Sequence, residues 1–233
     1  AVASGCPVLV KPAKDTPLSC KSFVEILYEA GLDERWCRFV PCSNDVAEQM
    51  VIDSRTAFFS FIGSARVGWM LRSKLAPGTR LALEHGGAAP VLVDEGVASG
   101  KVIPPLLKGG FYHSGQVCVS VQRVFVPRAE LPDFAAELAE GAEALTVGDP
   151  TKAETQCGPL IRPAEVDRVA SWVDAAVQGG ARLAAGGKRM GSTLYQPTVL
   201  VDPPCDADVS RKEVFGPVVC IYGYDDVDAA IGQ

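Results

Sequence analysis

AFFSFIGSARVG, Ala57 to Gly68, changes character halfway along. Ala57 to Ile62 is a continuous apolar run of strand length, of the kind expected for a parallel strand covered on both faces. Gly63-Ser64 then breaks the run, and a helix should follow to Lys74. Unpaired N–H groups and the helix dipole make such a strand-to-helix turn a natural anion site. The spacing of Gly63 and Gly68 lacks the tight Gly-x-Gly-x-x-Gly dinucleotide fingerprint. Taken alone, a plain strand-to-helix turn explains it as well as a phosphate site does.

The same rhythm extends to either side. Pro7 to Val10 reads as a short buried strand. Thr16-Pro17 offers an N-cap followed by proline at the first helical position. Phe23, Ile26, Leu27 and Ala30 then mark one face of a helix that Gly31 ends. Arg38 to Pro41 reads as a second strand, and Asp45 opens a short helix. Strand and helix alternating in this way predict an α/β doubly wound sheet.

After Glu84 the chain changes domain, which gives two units, residues 1–86 and 87–233. In the second, Pro90 to Asp94 is a strand, and Pro104-Pro105 should kink or split the helix after it. Phe134, Leu138, Ala142 and Leu145 form one apolar helix face. Val166, Val169, Val173 and Val177 form another, closed by Gly179-Gly180. Arg182 to Ala184, Thr198 to Val201 and Val218 to Tyr222 are the remaining short strands, and Asp225 or Asp226 caps a last helix.

The stretch GGFYHSGQVCVSVQRVFV, Gly109 to Val126, carries the candidate chemistry. Gly115 breaks any local helix, and the valine-rich run Val117 to Val126 reads as a strand, so Cys118 sits at a junction. Only a thiolate attacks a carbonyl carbon, so a catalytic cysteine needs positive potential or a base nearby. A lone cysteine is by default a small buried hydrophobe, and context must decide. Upstream, LALEHGGAAPVLVD (Leu81 to Asp94) sets Glu84 beside a glycine pair between two strands.

These two motifs and their separation resemble the aldehyde dehydrogenase superfamily. That family has a glutamate–glycine–glycine signature and a glycine–glutamine–x–cysteine signature. KPAKDTPLS (Lys11 to Ser19), FIGSARVG (Phe61 to Gly68), GPLI (Gly158 to Ile161), QPTVL (Gln196 to Leu200) and EVFGPV (Glu213 to Val218) fall in the family's order. The resemblance covers nearly the whole chain. It implies part of a Rossmann-like cofactor domain followed by the α/β catalytic domain, with NAD or NADP as cofactor and a small-molecule aldehyde as substrate.

By the same resemblance, Cys118 attacks the aldehyde to form a thiohemiacetal, hydride loss leaves a thioester, and Glu84 activates the water that releases the acid. The backbone N–H of Cys118 is one oxyanion donor; the family's other donor is an asparagine well upstream of Lys11. Ser64, at the Gly63 turn, lies near the pyrophosphate and Lys11 near the adenosine ribose. Glu213 holds the nicotinamide ribose and Phe215 packs near the ring. Tyr112, Val117 and Val119 lie beside the aldehyde. The family often has a glutamate at the position of Lys14. A cation there removes an acceptor for the 2′-hydroxyl and favours a 2′-phosphate, unless Lys14 is simply a solvated lysine. The choice between NAD and NADP stays open. The motif around Cys118 looks most like the small-hydroxyaldehyde and semialdehyde branch, and the resemblance implies a homo-oligomeric parent.

Composition bounds the alternatives. A net charge of −6 without a compensating basic block argues against a general nucleic-acid or membrane-surface binder. No apolar run reaches the roughly 18 residues of a membrane span. The eight cysteines are scattered without a Cys-x-x-Cys pair, and with only two histidines a metal site is not expected. Reduced thiols in a cytoplasmic compartment fit this pattern. A cysteine protease would pair Cys118 with His85 or His113, but His113 is close in sequence and no asparagine motif supports the pair. A coenzyme-A-dependent relative has no need of Glu84. The start AVASGCPVLV and the end DDVDAAIGQ read as the interior of a longer chain. The expectation is then a fragment inactive by itself, with a degenerate structural or binding domain as the non-enzymatic alternative.

Overall fold

The structure, a computed structural model, describes residues 1–233 and divides into two compact units, Ala1–His85 and Gly86–Gln233. In the first, β1 (Val8–Val10), α1 (Pro17–Glu29) and β2 (Cys37–Phe39) form a strand–helix–strand unit with parallel strands. After α2 (Asn44–Ile52), the segments β3 (Phe58–Ile62), α3 (Ala65–Arg72) and β4 (Arg80–Glu84) repeat the arrangement, again in parallel.

Local chemistry accounts for most of these boundaries. Thr16 and Pro17 start α1 as expected, although the Thr16 side chain makes no capping bond. At the other end Gly31 takes φ 94°, and the Leu32 N–H donates to the Leu27 carbonyl at 3.0 Å. That is the left-handed closure glycine permits. Ser43, not Asp45, caps α2, accepting from the Val46 N–H at 3.4 Å; Asp45 lies in the first turn.

Three expectations for this unit need correction. The pairs β1–β2 and β3–β4 are not hydrogen-bonded to each other, so they are two separate βαβ units and not one doubly wound sheet. The run Ala57 to Ile62 does form a parallel strand, but Phe58 and Ile62 are 58% and 82% exposed, so it is not covered on both faces; Leu9 of β1 is exposed as well. On α1 the inward stripe is Pro17, Cys20, Val24, Leu27 and Tyr28, while Phe23 and Ile26 face outward. The Tyr28 hydroxyl, donating to the Cys37 carbonyl, holds the helix in that rotation against β2.

The second unit is built on a five-stranded sheet in the order β5 (Ala89–Leu92), β6 (Val121–Pro127), β9 (Val218–Tyr224), β8 (Thr198–Val201), β7 (Arg182–Ala185). Only β7 runs antiparallel to its neighbour. The two-residue strand period sorts the valine-rich strands between two cores. Val124, Val126, Val199, Val201, Val219 and Ile221 pack with α4 (Ser99–Phe111) and α5 (Leu131–Glu143). Phe125, Leu200, Val218, Cys220 and Tyr222 pack with α6 (Pro163–Gln178) on the other side. Each buried aliphatic side chain contributes about 1.5–3 kcal/mol. The short α7 (Asp208–Arg211) and α8 (Val227–Ile231) complete the unit, α8 capped by Asp226 accepting from the Ala229 N–H at 2.8 Å.

Here too the structure departs from the sequence reading. Pro104-Pro105 does not divide α4, which runs as one helix. The carbonyls that lose an N–H partner to the prolines belong to Gly100 and Lys101, both exposed to water, while Ile103, Leu106 and Phe111 anchor the helix. On α6, Val177 is 38% exposed and Ala170 and Ala176 complete the buried face. The strand after Cys118 begins at Val121, not Val117; Val117 to Ser120 is a turn closed by the Ser120 N–H on the Val117 carbonyl at 2.9 Å.

Candidate active site

In the first unit the candidate residues gather at the carboxyl ends of the parallel strands, the usual ligand side of an open α/β sheet. Lys11 follows β1 directly and is half-buried. Lys14 lines a cleft of about 450 Å³ together with Pro12, Pro41 and Ser43, beyond the ends of β1 and β2. Gly63 ends β3, where a Cβ would stand 2.7 Å from the Phe61 ring. Ser64 is the N-cap residue of α3, and its side chain makes no capping bond. Glu84 is the last residue of β4, in register with Ile62, and its side chain is exposed.

Two bonds tie the Gly63 turn to the end of β4. The Gly63 N–H donates to the Glu84 carbonyl at 3.2 Å, and His85 Nδ1 lies 3.2 Å from the Gly63 carbonyl oxygen. The His85 ring lies against α3 at Gly68, where a Cβ would fall 2.3 Å from its Cε1. The two glycines of the 63–68 stretch thus serve different neighbours, Phe61 and His85. Gly68 forgoes about 0.5–1 kcal/mol of helix stability relative to alanine, and the space admits the imidazole.

In the second unit the candidates lie at the amino ends of β5, β6 and β9. His113 (φ 49°) and Ser114 (φ 58°) adopt left-handed backbone, followed by Gly115 (φ 68°). For non-glycine residues this costs roughly 1–2 kcal/mol each. Tertiary bonds hold the turn. The Ser114 hydroxyl donates to the Gly158 carbonyl at 2.5 Å, and Gln116 donates to the Pro159 carbonyl at 3.2 Å and accepts from the Ile161 N–H at 2.9 Å. Cys118 then stands exposed in the Val117–Ser120 turn.

Beside this turn is a cleft lined by Val117, Ser120, Gln122, Glu213, Phe215 and Gly216, among others. A Cβ on Gly115 would lie 2.1 Å from the Gly216 carbonyl oxygen, so the two backbones touch there. A Cβ on Gly86 would fall 1.6 Å from Glu213 Oε1, so the carboxylate rests on the Gly86 backbone. Phe215 has φ 47° and is 42% exposed. The cleft thus brings Glu213, Phe215 and Val117 together beside the Cys118 turn. Val119 is 74% exposed and does not line it; Tyr112 is also exposed, its ring centroid 3.9 Å from that of His113.

The loop carrying Glu213 and Phe215 is fixed by residues the sequence analysis passed over. Gln122, buried on β6, donates to the carbonyls of Val209 (2.8 Å) and Lys212 (2.7 Å) and accepts from the Val214 N–H (2.8 Å). Arg168, paired with Glu165, donates to the Val214 carbonyl at 2.7 Å. The other cysteines of this unit divide by burial. Burial pushes the Cys157 thiol up, and complete burial pushes that of Cys220 up to about 12, so both stay protonated near neutrality. Cys205 is exposed and does not line the cleft.

Both units are α/β with parallel strands; the first sets its candidate residues at carboxyl strand ends, and the second holds an exposed thiol on a turn beside Glu213 and Phe215. The chain belongs to the aldehyde dehydrogenase family, whose sequence profile it matches over residues 1–233. It is 37% identical to a 3-sulfolactaldehyde dehydrogenase of Priestia aryabhattai, over 100% of this chain and 49% of that protein. Its fold superposes on an aldehyde dehydrogenase of Physcomitrella patens in complex with the reaction product succinate, with TM-score 0.93 and 33% identity, over 100% of this chain and 48% of that one. It is similarly close to an aldehyde dehydrogenase of Mycobacterium tuberculosis complexed with NAD+ (TM-score 0.93, 31% identity, 98% of this chain and 48% of that one). The chain spans about half the length of the curated relatives it matches.

Proposed function

We propose that the protein containing this chain oxidises a small aldehyde to a carboxylic acid with NAD or NADP, through a thioester on Cys118. The observation that carries this reading is the turn at 113–120. It holds an exposed thiol on a strained, tertiary-bonded backbone beside a cleft containing Glu213 and Phe215. Family membership and relatives named for aldehyde oxidation support it.

The residues fit a dinucleotide. The cleft at Lys14 is wide enough for one end of such a ligand, Gly63 and Ser64 open α3 with an uncommitted hydroxyl, and Glu213 presents a carboxylate over glycine backbone. In this reading Lys11 and Lys14 hold the adenosine ribose end, Ser64 the diphosphate, and Glu213 and Phe215 the nicotinamide end. Several neighbouring structures are complexed with NAD+ and another with NADP, so either nucleotide is compatible with the fold. The cofactor, when bound, supplies the hydride acceptor.

The chain's own residues do the rest. The Cys118 thiolate forms the bond to the aldehyde carbon, and the Cys118 N–H donates to the oxyanion that develops. Glu84 takes a proton from the water that attacks the thioester, and the C–S bond breaks to release the acid and restore the thiol. Val117 and Tyr112 border the substrate. A small hydroxyaldehyde or semialdehyde fits the motif at 112–118. One relative named a 3-sulfolactaldehyde dehydrogenase and one neighbouring structure holding succinate as reaction product support it, while other relatives are named betaine aldehyde dehydrogenases.

The test is a limiting thiol reagent on the full-length protein, followed by peptide mapping. Cys118 should be modified ahead of the exposed Cys6 and Cys205, and its modification should track loss of activity. Preferential labelling of another cysteine with activity lost in step would overturn the assignment.

A further inference from the structure

We infer that His85 is a positioning residue for the dinucleotide diphosphate: it grips the Gly63 carbonyl and so aims the Gly63–Ser64 peptide. The inference rests on the cofactor reading above and adds a residue to it. A carbonyl oxygen can only accept, so the contact of 3.2 Å at Nδ1 fixes the proton on that nitrogen. The other nitrogen, Nε2, is buried and has no hydrogen-bond partner. A buried ring nitrogen left unpaired is unfavourable, and a leucine of similar volume would avoid it. The histidine therefore weakens the local packing at that nitrogen, and the bond at Nδ1 is what it provides in return.

That bond acts on the turn. The peptide is trans, so holding the Gly63 C=O on the β4 side directs the Ser64 N–H the opposite way. The Gly63 N–H is held at the same time by the Glu84 carbonyl. Consecutive residues of one strand end thus fix both sides of Gly63, just ahead of the first turn of α3, where unpaired N–H groups favour an anion. Gly68 fits the same account, because any side chain there would meet the imidazole. Trp69, with its ring centroid 6.1 Å from that of His85, borders the ring on the same helix.

The experiment compares His85→Leu, His85→Asn and wild type in the full-length protein, by calorimetric titration of NAD and NADP and by thermal melting. His85→Leu deletes the donor and the unpaired Nε2 together. It should melt at or above the wild-type temperature while binding the preferred cofactor about three- to ten-fold more weakly, the worth of one hydrogen bond. Its turnover should show a raised cofactor KM with kcat little changed. The side-chain N–H of asparagine can occupy the place of Nδ1, so His85→Asn should recover most of the affinity. Wild-type affinity in His85→Leu, or losses in both variants that only follow lowered melting temperatures, would overturn the inference. If wild type binds neither nucleotide, the functional reading fails and this inference with it.

Discussion

Gln122→Leu should loosen the Glu213 loop without touching the site directly. The Gln122 side chain makes three bonds of 2.7–2.8 Å to the segment 209–214 and is 4% exposed. Three buried hydrogen bonds at about 1 kcal/mol each give roughly 3 kcal/mol, and leaving the buried Val214 N–H unpaired adds about 1 more. The leucine returns part of that by apolar burial, so a net loss of about 3 kcal/mol is expected. For a unit of this size the melting temperature should fall by roughly 6–12 °C. Hydrogen exchange read by mass spectrometry should show lost protection centred on the Val209–Gly216 peptide, with the β7–β8 pair unaffected. In the full-length protein the cofactor KM of the proposed reaction should rise. A melting shift under 2 °C together with unchanged exchange at Val214 would refute the argument that this one side chain fixes the loop.

Other perturbations separate the remaining roles. Glu84→Gln should still give a burst of reduced cofactor and then stall before acid release; loss of the burst would assign Glu84 to an earlier step. Lys14→Glu should shift the ratio of kcat/KM toward NAD by about 1–2 kcal/mol, the size of one charge-assisted hydrogen bond, and an unchanged ratio would make Lys14 a solvated lysine. Cys220 bears on alkaline stability. Its folded thiol is pushed up to about 12 while the unfolded one ionises near 9.0, so between those values the unfolded chain has released a proton the native chain keeps. Stability should therefore be full below pH 9 and decline toward pH 12. Cys220→Ser, measured by urea melts across that range, should flatten part of the decline.

What the sequence made legible follows from how local each cause is. The element order, the parallel strands and the Gly31 and Asp226 helix boundaries rest on neighbouring residues, and the structure has them. Rotation of a helix is less local. Phe23 and Ile26 have the right spacing for a buried face, but the Tyr28–Cys37 bond selects a stripe through Val24. The valines around Cys118 predict a strand, while the turn depends on Ser114 and Gln116 reaching residues 158–161. Gln122 did leave a signal: a polar residue at an inward position of the run VSVQRVFV should bond to something buried. Its partners, some ninety residues along the chain, were beyond any local reading. In the sequence His85 offers itself only as a partner for the thiol, because its contact with Gly63 depends on the pairing of β3 with β4.

The most direct test of the central claim is aldehyde-dependent reduction of NAD and NADP by the full-length protein, measured side by side with Cys118→Ala. The account predicts reduction by wild type with at least one small hydroxyaldehyde or semialdehyde, and none above background by the variant at unchanged melting temperature. Turnover by Cys118→Ala within tenfold of wild type would contradict it.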